Sequence, residues 1–133
     1  MKGTPVQRRR TRQRTAIRAV LEQSRRPLSI AEVLEEAQRA VPGLGIATVY
    51  RTVGALVEEG FLSTVEIGGE APRYEVSGRG HHHHFRCRRC HRVFEVEGCL
   101  PEVQKLAPEG FVVEDHEILL FGLCPQCKLR RKG

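Results

Sequence analysis

Two Cys-x-x-Cys pairs limit what this chain can fold into more than any other feature of its sequence. The first pair is Cys87 and Cys90, and the second is Cys124 and Cys127. Four thiolates in two such pairs match the tetrahedral coordination that Zn²⁺ prefers, and a shared ion would join segments that are distant in the sequence. We therefore predict a structural zinc site at these four cysteines. A thioredoxin-like redox pair is less favoured, because that motif uses one Cys-x-x-Cys in a βαβ context.

The composition favours a soluble, cytoplasmic protein. Four of the five cysteines are in the two pairs, which is more typical of metal ligands in a reducing compartment than of a disulfide framework. No apolar run is long enough to span a membrane, and the arginine-rich start is not followed by the apolar stretch of a secretory signal. The 133 residues suffice for one ordinary domain or two small ones.

Positive charge is concentrated at the start of the chain. Residues 1–26 contain nine Lys and Arg, Lys2 among them, and one Glu, whereas the remaining residues carry a net charge of −2. A basic segment on a nearly neutral body is typical of proteins that bind the phosphate backbone of nucleic acids. A charged tail that only increases solubility is the alternative.

The first half of the chain has the pattern of three helices followed by a β-hairpin. Ser29 and Glu32 have the spacing of a capping box at the start of the second helix, and Gly68 and Gly69 separate two short runs with strand composition. The predicted helices cover about residues 12–24, 30–41 and 47–59, and the predicted strands cover residues 64–67 and 73–76. This order predicts a winged helix-turn-helix, whose third helix enters the major groove of DNA. A small helical module that binds protein is the alternative.

The third predicted helix presents small residues, one tyrosine and one arginine on the face opposite its apolar stripe. Such a face can approach DNA closely, and we expect Arg51 to reach a guanine edge and Tyr50 a thymine methyl group. Thr48 lies beside them, and Arg12 and Arg14 belong to the basic segment. These five residues are the predicted contacts with double-stranded DNA.

The second half of the chain has the pattern of a small α+β unit that follows a glycine-rich hinge at residues 78–80. Its predicted elements are strands at residues 82–86, 93–97, 111–114 and 117–121 and a short helix at residues 101–107. Residues 1–77 would thus form a winged-helix DNA-binding domain and residues 81–133 a metal-binding dimerisation domain. A core of that size is marginal, so we expect metal binding and self-association to stabilise it.

Four consecutive histidines precede the first cysteine pair. Neighbouring side chains of a strand point to opposite faces, so His82 and His84 would share one face, and His81 and His83 the other. Imidazole nitrogen suits a reversibly bound transition-metal ion, whereas four thiolates suit a permanent zinc ion. The two kinds of site together indicate a metal sensor.

Three stretches of the chain have a distinctive order and spacing. They are residues 45–52 with the sequence GIATVYRT, the four histidines followed by the first cysteine pair, and His116 followed eight residues later by the second pair. In this order they resemble the ferric uptake regulator (Fur) family. The resemblance implies a homodimeric, metal-dependent transcriptional repressor rather than an enzyme. It also implies that the winged-helix domain reads an AT-rich palindrome in double-stranded DNA.

The resemblance also implies a role for each group of ligands. The four cysteines correspond to the structural zinc ligands of the family, and Tyr50 and Arg51 correspond to contacts of the recognition helix. Glu75, His82 and His84 correspond to a regulatory site at the hinge. An additional site in the dimerisation domain corresponds to His81, His83, Glu102 and His116.

Two departures from the family pattern bear on the regulatory metal. Pro27 stands where iron- and peroxide-type members usually have a histidine, and Ser63 and Ser77 stand where zinc-type members usually have an aspartate and a cysteine. The histidine-rich run favours Zn²⁺ as the sensed ion, with Fe²⁺ next. The alternatives are a peroxide-responsive regulator of the same family and a zinc-ribbon protein for metal storage or interaction.

The fifth cysteine, Cys99, has two interpretations. The favoured one is a partly buried, small apolar side chain. The other is an extra thiolate ligand to a regulatory metal, or an oxidation-sensitive switch.

Overall fold

The computed structural model describes residues 3–130, which form two compact units divided between Gly78 and Arg79. The first unit contains α1 (Pro5–Gln23), α2 (Ile30–Ala37), α3 (Ile46–Glu58), β1 (Leu62–Val65) and β2 (Arg73–Val76). The second unit contains β3 (His83–Cys87), β4 (Val93–Val96), a 3₁₀ helix (Val103–Leu106), β5 (Leu119–Gly122) and α4 (Pro125–Arg130). This order confirms the predicted α+β fold class. Lys2, counted in the basic segment, and residues 131–133 of the predicted dimerisation domain lie outside the described residues.

Helix α1 begins seven residues earlier than the sequence pattern predicted. The hydroxyl of Thr4 accepts a hydrogen bond from the Gln7 amide at 3.2 Å, and the Gln7 side chain accepts one from the Thr4 amide at 2.9 Å. Pro5 occupies the first turn, where its missing amide proton costs nothing. The predicted start at residue 12 was wrong because it relied on apolar spacing, which begins only there. The arginine-rich segment is therefore part of a helix.

Helix α2 begins with the predicted capping box. The Ser29 hydroxyl accepts from the Glu32 amide at 3.2 Å, and the Glu32 carboxylate accepts from the Ser29 amide at 3.0 Å and pairs with Arg26 at 2.6 Å. Burial alone would raise the pKa of Glu32, but the hydrogen bonds from Arg26 and from the Ser29 amide hold it below its ordinary value. The helix ends at Ala37 rather than near residue 41, because the chain tightens into a turn there.

The three helices of the first unit pack around one apolar core. Its fully buried members include Ile17 and Leu21 of α1, Val33 of α2, and Val53 and Leu56 of α3. Because these side chains occupy one face of α3, the opposite face of that helix is left to the solvent.

The wing is a two-stranded antiparallel hairpin in which Leu62 pairs with Val76 and Val65 pairs with Arg73. Tyr74 of β2 also exchanges backbone hydrogen bonds of 2.9 and 2.8 Å with Leu28, just before α2. These bonds attach the wing to the helices. Three helices followed by this hairpin form the predicted winged helix-turn-helix.

The second unit is built on a three-stranded sheet in the order β4-β3-β5, with β3 antiparallel to β4 and parallel to β5. The strand predicted at residues 111–114 is not formed, because β5 takes the place beside β3 and this segment has no strand partner in the described chain. Phe111 and Val112 are 70% and 85% exposed. The helix predicted at residues 101–107 is a short 3₁₀ helix, and α4 was not predicted.

Within residues 3–130, no helix combines the length and the apolar character that crossing a membrane requires.

Candidate metal centres and DNA-binding surface

The four paired cysteines converge in the second unit. Cys87 ends β3, Cys90 lies in the turn after it, Cys124 precedes α4, and Cys127 lies within α4. The parallel pairing of β3 with β5 places Gly122 beside Cys87, so the second cysteine pair follows the sheet directly onto the first. The four sulfur atoms all lie within 4.8 Å of one another. The two pairs that the sequence predicted to act together are therefore adjacent.

The donor set of this cluster fits a tetrahedral zinc ion. The Sγ atoms of Cys90 and Cys124 are 3.9 Å apart, and tetrahedral Zn–S bonds of about 2.3 Å imply a sulfur–sulfur spacing of about 3.8 Å. Burial raises the pKa of the Cys87 thiol, but hydrogen bonds from the backbone amides of Cys124, Cys90 and Arg89 lower it to about 5. This thiol is thus ready to act as a thiolate ligand.

Two other thiols of the cluster, those of Cys90 and Cys127, have a raised pKa and resist ionisation in the absence of a cation. Burial, followed by hydrogen bonds with the other three sulfurs, raises the pKa of Cys127 to about 12, and burial also raises the pKa of Cys90. Several thiolates in one buried pocket repel one another, and a divalent cation would remove that repulsion. The electrostatics of the cluster therefore favour metal binding.

A second cluster in the same unit combines three histidines with Cys99. The ligand atoms of His81, His83, Cys99 and His116 all lie within 4.8 Å of one another. Nε2 of His116 is 3.0 Å from Nε2 of His81 and 2.8 Å from Sγ of Cys99, and Nε2 of His83 is 3.2 Å from the same sulfur. His81 and His83 share a face, as the alternation along a strand predicted.

Glu102, predicted to belong to this additional site, is not part of the cluster. Its side chain is 73% exposed, and its carboxylate pairs with Lys105, three residues later on the same turn, at 3.1 Å. Cys99 is the fourth member of the cluster instead. The favoured interpretation of Cys99 as a partly buried apolar side chain was wrong, because this residue is exposed.

The backbone fixes the orientation of His83. The Ile118 amide donates a hydrogen bond of 3.1 Å to Nδ1 of His83. Because an amide N–H only donates, Nδ1 must be unprotonated, and a neutral ring then carries its proton on Nε2, which faces Cys99. Burial, and then the neighbouring His81 and His116, lower the pKa of His83 and keep the ring neutral. His83 thus directs an N–H group at the Cys99 sulfur.

The two remaining histidines of the run form a pair on the other face of the strand. The rings of His82 and His84 are 4.9 Å apart in an edge-to-face arrangement. Nε2 of His82 is 4.0 Å from a Glu95 carboxylate oxygen, and Glu95 also accepts a hydrogen bond of 2.9 Å from Arg79. Two imidazoles and a nearby carboxylate are suitable ligands for a transition-metal ion.

The other residues predicted for the hinge site lie in the first unit. Glu75 is on β2, where it pairs in register with Ser63 of β1. The hydroxyl oxygens of Ser63 and Ser77 are 2.7 Å apart and share a hydrogen bond. These serines, which replace the aspartate and cysteine of zinc-type members, are therefore next to each other at the base of the wing.

The exposed face of α3 borders a basic groove in the first unit. Tyr50 is 58% exposed, and Arg51 donates a hydrogen bond of 3.2 Å to the Thr48 hydroxyl. The groove, of about 910 Å³, is lined by residues of α1, of α3 and of the loop that precedes α3. Its basic residues are Arg9, Arg10, Arg12, Arg14 and Arg51. The predicted contacts Thr48, Arg51, Arg12 and Arg14 all line it, and positive charge here suits a phosphate backbone.

Two arginines that line this groove were not predicted individually as DNA contacts. One of the predicted contacts, Arg14, also forms hydrogen bonds within the protein. Arg9 and Arg10 line the groove, and only the charge run indicated them. Arg14 forms two hydrogen bonds of 2.8 Å to the Glu59 carboxylate at the end of α3. Arg14 thus connects α1 to α3 as well as lining the groove.

Comparisons with known proteins agree with the metal-ligand clusters and the winged-helix fold. The Ferric uptake regulator family model matches residues 6–121. The ferric uptake regulation protein of Campylobacter jejuni is 33% identical over 122 residues, which are 88% of this chain and 78% of that protein.

Two solved structures have similar folds. The Helicobacter pylori ferric uptake regulator Fur, described as having three functional metal-binding sites, is 26% identical with a TM-score of 0.67, over 96% of this chain and 83% of that one. FurB of Mycobacterium tuberculosis, a zinc uptake regulator, is 33% identical with a TM-score of 0.51, over 90% of this chain and 95% of that one. Proteins of this family are metal-binding transcription regulators and not enzymes. This chain, with its winged-helix unit and its cysteine cluster, belongs to the ferric uptake regulator family.

Proposed function

We propose that this protein is a metal-dependent repressor that binds an AT-rich palindrome as a homodimer in the cytoplasm. The observation that carries the proposal is the presence, in one chain, of a basic winged-helix face and of separate sulfur-rich and histidine-rich ligand clusters. A metal-storage protein would explain the ligands but would give the basic groove no role.

The DNA-reading part of the proposal rests on α3 and α1. Tyr50 and Arg51 are exposed on α3, with side chains of the types that contact base edges in the major groove. The arginines of α1 line the groove beside α3 and are suited to phosphate contacts, which position a protein without reading sequence. Base specificity would thus come from α3 and most of the salt-dependent affinity from α1.

The homodimer is supported by apolar side chains that the second unit leaves in contact with solvent. Leu106, Phe111 and Val112 are each at least 70% exposed, and Leu120 and Phe121 of β5 are about half exposed. In the described chain, β5 is at one edge of its sheet. An apolar surface beside a sheet edge is typical of a protein–protein interface. Two copies of the winged helix on such a dimer match the two halves of a palindrome.

We assign the structural zinc to Cys87, Cys90, Cys124 and Cys127, and the regulatory ion to Glu75, His82 and His84. A zinc ion in the first set would neutralise the thiolates and connect β3 to α4. Glu75 belongs to the first unit and the two histidines to the second, so binding one ion together would restrict the movement of the DNA-binding unit about the hinge. Coupling of this kind is typically worth about 1–3 kcal/mol.

The favoured regulatory ion is Zn²⁺, with Fe²⁺ second. Histidine nitrogen suits both ions, and the affinity order for a site of this kind places Zn²⁺ above Fe²⁺.

The test is restoration of DNA binding to chelator-treated protein whose cysteine cluster retains zinc. Zn²⁺, Fe²⁺, Mn²⁺ and Ni²⁺ are added separately, and binding to an AT-rich palindrome is measured by fluorescence anisotropy. We expect Zn²⁺ to restore tight binding at the lowest free concentration. Equal binding with and without added metal would overturn the proposal.

A further inference from the structure

The cluster of His81, His83, Cys99 and His116 lies entirely within the second unit and contains no carboxylate ligand. We infer that His81, Cys99 and His116 bind a cation, with Cys99 as a thiolate ligand to which His83 donates a hydrogen bond, and that this sulfur makes the site selective for Zn²⁺ over Mn²⁺ and Fe²⁺. The inference deepens the proposed function by assigning the metal preference of one site. Only the role of that site in regulation rests on the proposed function.

The donor atoms of His81, Cys99 and His116 have a spacing that fits three ligands of a tetrahedral ion after a small expansion. Tetrahedral Zn–N bonds of about 2.0 Å and a Zn–S bond of about 2.3 Å require donor separations of about 3.3 Å between nitrogens and about 3.5 Å between nitrogen and sulfur. Nε2 of His116 is 3.0 Å from Nε2 of His81 and 2.8 Å from Sγ of Cys99. The donor atoms are therefore at hydrogen-bond distances from one another and would move apart by less than about 1 Å to bind an ion.

Glu102 and Asp115, two acidic residues close in sequence to the cluster, have other partners. Glu102 points to Lys105 and is largely exposed. Asp115, next to His116 in the sequence, accepts a hydrogen bond of 2.8 Å from the His116 amide. In the described part of the chain, sulfur is therefore the anionic donor that faces the three imidazoles.

A thiolate changes which ions the site prefers. Soft sulfur donors favour Zn²⁺ and Cu⁺, whereas carboxylate oxygen suits Mn²⁺ and other hard ions. The N–H that His83 directs at Sγ would donate a hydrogen bond to the bound thiolate and hold it in place. A set of one thiolate and two imidazoles is therefore expected to discriminate against Mn²⁺ more strongly than a set with glutamate.

The experiment uses the full-length protein with the four-cysteine cluster filled by zinc and titrates it with Co²⁺ in the absence of DNA. The His82–His84 pair has no cysteine among its predicted ligands, so sulfur-to-cobalt charge-transfer absorption in the near ultraviolet reports Cys99. The variants are Cys99→Ser, Cys99→Asp and Glu102→Gln. Cys99 and Glu102 are both exposed, so each variant should keep the wild-type circular dichroism spectrum and zinc content.

We expect the absorption in the wild type and in Glu102→Gln, and its absence in Cys99→Ser. Competition with a chelator should show that Cys99→Ser binds Zn²⁺ at this site at least about tenfold more weakly, since even an outer-shell partner is typically worth that much. Cys99→Asp should shift the preference towards Mn²⁺. Unchanged Zn²⁺ affinity in Cys99→Ser, or a loss caused by Glu102→Gln, would overturn the inference. Because the assay contains no DNA, either result leaves the proposed repressor function to its own test.

Discussion

Replacing Arg51 by alanine tests whether α3 reads the base sequence while α1 contacts the phosphate backbone. Arg51 is at the surface, where it donates a hydrogen bond to the Thr48 hydroxyl, so the substitution should change the free energy of unfolding by less than about 0.5 kcal/mol. A bidentate arginine–guanine contact contributes about 1–3 kcal/mol of discrimination. A homodimer contains two copies, so the affinity for the palindrome should fall by at least about 2 kcal/mol, or about thirtyfold.

Arg12→Ala is the matched comparison, because Arg12 lines the same groove from α1. A lost phosphate contact should weaken binding to every duplex alike and lower the slope of log K against log salt by about 0.9 per copy, or about 1.8 per dimer. Fluorescence anisotropy would be measured over a range of salt concentrations. The probes are a palindrome selected by the wild-type protein from a random library and a scrambled duplex. If Arg51→Ala weakened binding to both duplexes equally and reduced the salt slope like Arg12→Ala, α3 would not be the element that reads sequence.

Two further predictions concern the separation of the metal sites and the acid stability of the first unit. Cys87→Ser should lose structural zinc and the fold of the second unit together, whereas His82→Ala should keep both and lose metal-dependent DNA binding. Zinc content, circular dichroism and anisotropy measure these outcomes, and an unfolded His82→Ala protein would contradict separate structural and regulatory sites. Arg26 and the Ser29 amide hold the pKa of Glu32 below its ordinary value of 4.5, so the stabilisation is present above that pH and is lost as the pH falls through the lower, folded-state pKa. The free energy of unfolding in urea should therefore fall more steeply with acid in the wild type than in Glu32→Gln, and parallel curves would show that this carboxylate does not contribute.

Local patterns in the sequence predicted the elements that depend on neighbouring residues. The capping box at Ser29, the glycines between the two wing strands and the period of α3 each act over a few residues, and the corresponding elements formed. Their bounds were less accurate, since β1 lies two residues before the predicted strand and α2 ends four residues early. The start of α1 was missed although its signal was also local, because Thr4, Pro5 and Gln7 form a capping box outside the apolar pattern.

Features that depend on contacts between distant segments were harder to predict. The sequence indicated which strand face each histidine would occupy, but not that Cys99 would approach His116 while Glu102 pairs with Lys105. The segment at residues 111–114 alternates as a strand does, yet strand formation also needs a partner, which the described chain does not supply. Helix α4 is only six residues long, so its helical pattern is weak. It was missed because the sequence there was interpreted only through the spacing of the cysteines.

The most direct test of metal-dependent DNA binding compares one protein in two states. The hinge-site ion is removed with a chelator of moderate strength while zinc in the four-cysteine cluster is confirmed by elemental analysis, and affinity for the selected palindrome is measured before and after. We predict that removal weakens binding by at least about fivefold, which corresponds to a coupling of about 1 kcal/mol, and that added Zn²⁺ reverses the loss. Equal affinity in the two states would contradict the central claim that this repressor binds DNA in response to metal.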